Sequence, residues 1–241
     1  MSQKATTITL SGLVIIESLL IFPPLIILGA AIEWPDSLDF PVTKVLPLIA
    51  ANLGEVRLGY GIYLLYSLLW IALGTSVAWL ASRKEGGTGI LVSLAAALGC
   101  VSAVARCIGI IRWLTASTEF SSFYPSATDM AANRGIEAAQ MAVNAWGGAI
   151  GEILGVALFA SAWLIVVSII IVTNKSLPKI LGYIGFVIAI VVALPAAELF
   201  GLNLMSVSTS TSAMHFWLLA VGITGLVQAL RPPADNQMKR A

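Results

Sequence analysis

Two arginines stand in "AVARCIGIIRWL", residues 103–114, and Arg106 and Arg112 are the only charges between Ile90 and Leu114. A guanidinium stays protonated at physiological pH and presents its donors as a rigid fork suited to carboxylate or phosphate. At the bilayer centre such a charge costs about 2.5–3.5 kcal/mol on insertion scales. A lipid-facing placement is therefore disfavoured, and acids from neighbouring segments can replace the lost hydration with charge-assisted hydrogen bonds. Glu152 in "GGAIGEILG", Glu198 in "LPAAELFG" and His215, the only histidine, stand in other apolar runs at a similar depth. The sequence predicts that Arg106 faces Glu152 or Glu198 across a helical bundle.

Two kinds of chemistry suit this set. In the first, the charges line a cavity in the outer half of the bundle and hold an anionic or polar ligand group. In the second, they lock helix register and do nothing more. Both stand for Arg106 and Glu152. For Glu198, His215 and Arg112, nearer the interface, snorkelling offers a structural explanation. Glu17, in "VIIESLL", lies about two turns into the first span with no basic partner evident at that depth. A carboxyl so placed suits a proton-coupling role, and the alternative is a hydrogen bond to Thr75 or Ser76 of a neighbouring helix.

Other chemistries lack their residues. One histidine cannot supply bis-histidine haem ligation or a histidine-rich metal centre, so neither cofactor nor metal is expected. Cys100 and Cys107 are seven apart, about 10 Å along a helix, which is too far for a mutual disulfide. No phosphate loop, dinucleotide fingerprint or serine elbow occurs, and no lysine lies within an apolar span. A formal charge of +1 with no long basic run gives no reason to expect nucleic acid.

The elements that would carry these residues follow from hydropathy. The 241 residues are 59% hydrophobic and 10% charged, with a mean hydropathy of +0.95. Soluble domains carry about a quarter charged residues. An all-α, polytopic transmembrane bundle is expected, a single domain of six spans at about 8–32, 58–81, 88–114, 148–173, 180–202 and 212–230. Backbone groups in lipid must pair within their own segment, which requires helix. The first span is too long for a signal-peptide core and reads as a retained span, kinked at Pro23 and Pro24. Lys4, Arg83, Lys84, Lys175, Lys179, Arg231, Lys239 and Arg240 fall on one side and acids dominate the other. That bias places both termini in the cytoplasm of a cell membrane.

Two outer connections are long enough for structure of their own. Val42, Val45, Leu46, Ile49 and Leu53 follow helical spacing in the first, and Ser126 and Asp129 offer helix starts in the second. Both read as short interfacial helices, with Trp34, Trp113 and Trp146 near headgroup level. Gly147, Gly151 and Gly155 share a helical face. They allow close approach by a neighbouring helix, a second copy or another membrane protein.

The stretches "GEVRLGYGIYLLYSLLWIALGTSVAWLASRK", "LGCVSAVARCIGIIRWL" and "GEILGVALFASAWLIVVSIIIVTNKSLPKILGYIGFVIAIVVALPAAELFG" resemble a family of small bacterial integral membrane proteins catalogued as domain-of-unknown-function family 4386. The resemblance spans roughly residues 10–230, and the first outer loop, rich in prolines and acids, departs from it. It implies a multi-helix fold in the lipid bilayer and supplies no activity and no catalytic residues. Three functions stay open: binding or transport of a small polar or amphiphilic molecule, intramembrane acid/base chemistry on a lipid-like substrate through Glu152 or Glu198, and an accessory structural role.

Overall fold

The computed structural model describes residues 2–85, 89–124 and 129–231. Ser126 and the tail residues Lys239 and Arg240 lie outside the described residues. Among those described there is no strand, and six helical stretches are long and apolar enough to cross a membrane: Gln3–Ile32, Leu53–Ser82, Ile90–Phe123, Met130–Thr173, Lys179–Phe200 and Val207–Leu230.

Helix α1 (Gln3–Leu20) starts where the Ser2 hydroxyl accepts from the Ala5 N–H at 3.2 Å, satisfying a donor that has no partner within the helix. It begins five residues before the expected Ile8. Pro23 and Pro24 lack the donors that would continue it, so the helix breaks at Ile21 and resumes as α2 (Phe22–Ile32). The break redirects the chain. α1 packs against α10 (Val207–Leu230) and α4 (Leu53–Ser82), whereas α2 follows α4 and leaves α10.

A cap covers the end reached by α2. Its helix α3 (Val42–Ala51) buries Val42, Val45, Leu46 and Ile49 of the sequence's helical spacing, whereas Leu53 falls outside it and opens α4. These join Leu28, Ile32, Tyr60 and Trp113 in a core separate from that of the bundle. Helix α5 (Ile90–Leu114) crosses back to the cap and continues as α6 (Ala116–Phe123). The second outer connection departs from the expected short helix. Helix α7 (Met130–Gly148), begun by Asp129, which accepts from the Ala131 N–H, has 19 residues and runs straight into the fourth span. That span opens as a π-helical segment, Ala149–Phe159, before α8 (Ala160–Thr173). Helix α9 (Lys179–Ala193) ends in a 3-10 turn, Leu194–Phe200, opened by Pro195. The last helix begins at Val207, capped by Ser206 and five residues earlier than expected.

The main core centres on Trp70, Trp163 and Trp217, packed edge to face at 5.3 and 6.3 Å. Around it the flanks expose Ile16, Ile26, Leu65, Val104, Val187 and Ile190, an apolar exterior of the kind that meets acyl chains rather than water. The end opposite the cap carries Arg83, Lys175 and Lys179. Gln3 donates there to the Arg83 carbonyl, so the first and last spans begin and end on one side with Arg83 between them.

Candidate functional site

Helix α4 presents Tyr60, Tyr63, Tyr66 and Trp70 along one stripe, three or four residues apart as a helical face requires. Where α2 leaves α10, a cavity of about 250 Å³ opens between this stripe, α5, the π-helical segment and the first turns of α10. Arg106, Arg112, Glu152 and His215 all lie in its wall. Glu198 does not, because the 3-10 turn after Pro195 leaves it exposed outside the wall.

The ion pair differs from the one expected. Arg112, not Arg106, bonds Glu152, at 2.6 Å, and its other terminal nitrogen donates to the Gly109 carbonyl at 2.9 Å. The cause is side-chain direction. Helical side chains lean toward their own helix's N-terminus, and α5 and the π-helical segment run antiparallel. Glu152 therefore leans toward the cap, Arg112 leans back to meet it, and Arg106 leans away toward the opposite end.

Arg106 is only 4% exposed. Its Nε donates to Ser102 Oγ at 3.2 Å, and Ser102 in turn donates to the Gly155 carbonyl at 2.7 Å. The guanidinium carbon sits 3.9 Å from the centroid of the Trp70 ring, a cation–π arrangement. Arg106 Nη2 is buried with no hydrogen-bond partner among the described residues.

Arg106 stands near the height of Glu17, which corrects the expectation that no base lies at that depth. From Gln3, where α1 begins, Glu17 is about 21 Å along the axis, and Arg106 is about 24 Å from Ile90 at 1.5 Å per residue. The two are nearly level. Glu17 is fully buried and both carboxyl oxygens lack a hydrogen-bond partner among the described residues. Thr75 and Ser76 do not supply one, since each hydroxyl donates to a carbonyl of its own helix.

His215 ends a hydrogen-bonded chain. Trp70 Nε1 donates to the Tyr66 hydroxyl at 2.9 Å, and that hydroxyl lies 2.8 Å from His215 Nε2. His215 Nδ1 is 2.9 Å from the Thr211 carbonyl, which can only accept, so Nδ1 carries the hydrogen, and in the neutral tautomer Nε2 accepts a hydrogen bond from the Tyr66 hydroxyl.

Some of the wall escaped the sequence reading. The tyrosine stripe was signalled by its spacing in "GYGIYLLYSLLW". Ser208, Thr211 and Ser212 also line the cavity, but a run without charge reads as loop. Trp34 and Trp113 also belong to the wall: Trp113 stacks on Tyr60 at 5.2 Å and Trp34 meets Tyr63 edge on at 5.6 Å. Trp146 is 65% exposed.

The three glycines face α5 of the same chain. Gly147 lies under the Arg112 side chain, Gly151 against Gly109 and Gly155 against Ala105 and Arg106. Their shared face is filled from within, which leaves it closed to the second copy or membrane partner envisaged from the spacing.

The site thus combines a neutralised ion pair, a second arginine with an open donor and a histidine–tyrosine relay, within otherwise aromatic and aliphatic walls. Such a surface can take up a negatively charged or polar group and shelter it from water. No curated protein and no solved structure matches the chain. The family described as domain of unknown function (DUF4386) matches residues 11–224, and the chain belongs to that family.

Proposed function

We propose that this multi-pass protein binds, and in a transport cycle passes, a small polar or amphiphilic molecule through the cavity on the cap side. The observation that carries the reading is Arg106, buried in the cavity wall with one terminal nitrogen unpartnered among the described residues. A buried donor without a partner costs about 1–3 kcal/mol, more when charged, and a ligand oxygen would remove that cost. The cavity, about 250 Å³, approaches the 300 Å³ or so at the lower bound of small-molecule pockets. Glu17, level with Arg106 and without a hydrogen bond among the described residues, is the candidate for coupling a proton to the cycle. The enzyme reading has less support, since Arg112 holds Glu152 and Glu198 stands apart from the cavity.

In this reading the chain resides in a bacterial cell membrane with Arg83, Lys175, Lys179 and both termini in the cytoplasm, as the positive-inside bias favours, and the cap outside. Native mass spectrometry of protein released from nanodiscs tests the binding. A bound small molecule is expected in the wild type and lost in Arg106→Gln at unchanged helical content. Equal occupancy in the two proteins, or none in either, would reject it. In a background lacking Cys100 and Cys107, Met130→Cys should be labelled by an impermeant maleimide added outside intact cells.

A further inference from the structure

The cavity has one side that is not protein. Below Ile21 the first span is sealed against α10, where Gly222 and Gly225 let α1 approach closely. Above it α2 turns toward α4, and the rim of the resulting cleft is Phe22, Leu25, Ser212 and Phe216. Phe22 is 42% and Phe216 67% exposed on the flank that carries the apolar girdle. The opening faces sideways, where acyl chains would lie, and its edges are aromatic and aliphatic.

We infer that the ligand is a single-chain amphiphile with an anionic head, which enters from the bilayer between α2 and α10, sets its head against Arg106 and leaves its tail in the cleft. This rests on the reading of the cavity as a binding site and adds the charge, the shape and the route. The charge follows from the wall. Glu152 neutralises Arg112, whose Nε is also unpartnered, so among the described residues of that wall Arg106 is the arginine with no carboxylate bonded to it and with a terminal donor still open. Ser102 and the Trp70 face fix its fork, and an arginine so fixed recognises a carboxylate or phosphate better than a neutral group. Ser208, Thr211 and Ser212 of α10 add polar side chains to the cavity lining. Size limits the rest. A cavity of about 250 Å³ takes a head and the first few methylenes, so a longer chain must extend through the cleft. Each methylene kept out of water there adds roughly fourfold in affinity in favour of an amphiphile over a free anion of the same head.

The test uses the full chain in nanodiscs of zwitterionic phospholipid and reads quenching of tryptophan fluorescence, since Trp34 and Trp113 line the cavity and Trp70 lies under Arg106. The probes are dodecanoate brominated at carbon 2 or carbon 11, dodecyl phosphate as a competitor, and bromine-bearing dodecanol and dodecyltrimethylammonium. Saturable quenching is expected from 2-bromododecanoate, with weaker quenching by the 11-bromo isomer and displacement by dodecyl phosphate. The alcohol and the ammonium should bind at least tenfold more weakly. Arg106→Gln should weaken dodecanoate at least tenfold with partial recovery in Arg106→Lys, and Ser212→Trp should slow its association. Equal binding of alcohol or ammonium overturns the charge assignment even if native mass spectrometry shows a cavity ligand. Butyrate binding as tightly as dodecanoate overturns the lateral route in favour of a free anion. Absence of saturable quenching by every probe overturns the proposal, and the cavity reading itself falls only if mass spectrometry also shows no ligand that Arg106→Gln loses. The wild-type probe series needs no variant and stands if Arg106→Gln fails to fold.

Discussion

Arg112 and Glu152 meet at 2.6 Å with side chains 8% and 32% exposed, between the regimes of buried and surface ion pairs. Removing one partner of a fully buried pair costs about 3–5 kcal/mol, and exposed pairs contribute about 0–1 kcal/mol. For this pair about 1–2 kcal/mol of coupling is expected. In a double-mutant cycle on thermal stability in nanodiscs, Arg112→Met should cost more in the wild type than in the Glu152→Gln background, and the difference measures the pair. Strict additivity would mean that the bond contributes nothing and that Arg112 acts only by packing over Gly147. The ionisable residues of the cavity were legible from the sequence because hydropathy fixes their depth. Their pairing was not, because depth gives neither the lean of a side chain nor the azimuth of its helix. Arg106 and Glu152 are close in depth and lean in opposite directions. Glu17 was misplaced for a different reason: Gln3, Lys4 and the threonines after them look interfacial, but Ser2 caps them into α1, which places Glu17 more than a turn farther along than its apolar run suggests.

Helix α5 and the π-helical segment touch through bare backbone. A Cβ on Gly151 would lie 2.8 Å from Gly109 Cα, and one on Gly109 would lie 2.6 Å from Gly151 Cα. Neither neighbour is a side-chain tip that could move aside. Gly151→Ala should therefore push the two elements apart, carry Glu152 away from Arg112, and cost about 1–3 kcal/mol or more, as overpacking does. Gly61→Ala is the matched comparison, since no atom lies within 4 Å of its Cβ position and it sits inside α4. There the gain in helix propensity, about 1 kcal/mol, should leave stability unchanged or raised. Thermal unfolding of the two variants beside the wild type checks the contrast, and similar losses in both would refute this role for the Gly109–Gly151 crossing. The elements were legible to within a turn or so where apolar runs are long. They were least legible where polar residues extend a helix, as at Leu53–Arg57 and Val207–Thr211, because hydropathy marks the extent of lipid contact and capping marks the extent of the helix. The π-helical segment had no signature beyond its glycines.

The two ends of the molecule are built differently. At the cap end the break at Ile21 leaves the cavity open beside α10, whereas at the opposite end one side chain ties several elements together. Arg83 donates to the Leu80 carbonyl at 2.8 Å, to the Ser176 carbonyl at 3.2 Å and to Gln228 Oε1. The Lys84 N–H donates to Ser176 Oγ at 2.9 Å, and Ser176 itself is braced by Asn174. The ends of α4 and α10 and the turn between α8 and α9 are thereby pinned. Burial draws the Arg83 guanidinium down from its ordinary value, but an arginine begins so far above neutrality that it stays charged. A bundle closed at one end and open at the other is one of the two states that an alternating-access cycle needs, and opening the closed end would require these bonds to break. Arg83→Ala should speed amide hydrogen exchange in the last turns of α4 and α10 and in the 174–178 turn, leaving exchange near Tyr66 and Trp70 unaltered, because local opening follows the bonds removed. If transport occurs, the same variant should favour the opposite opening and weaken ligand capture at the cap side, although Arg83 touches no part of the cavity. Exchange that rises evenly over the whole chain would mean instead that Arg83 supports global stability and that the two ends do not open independently.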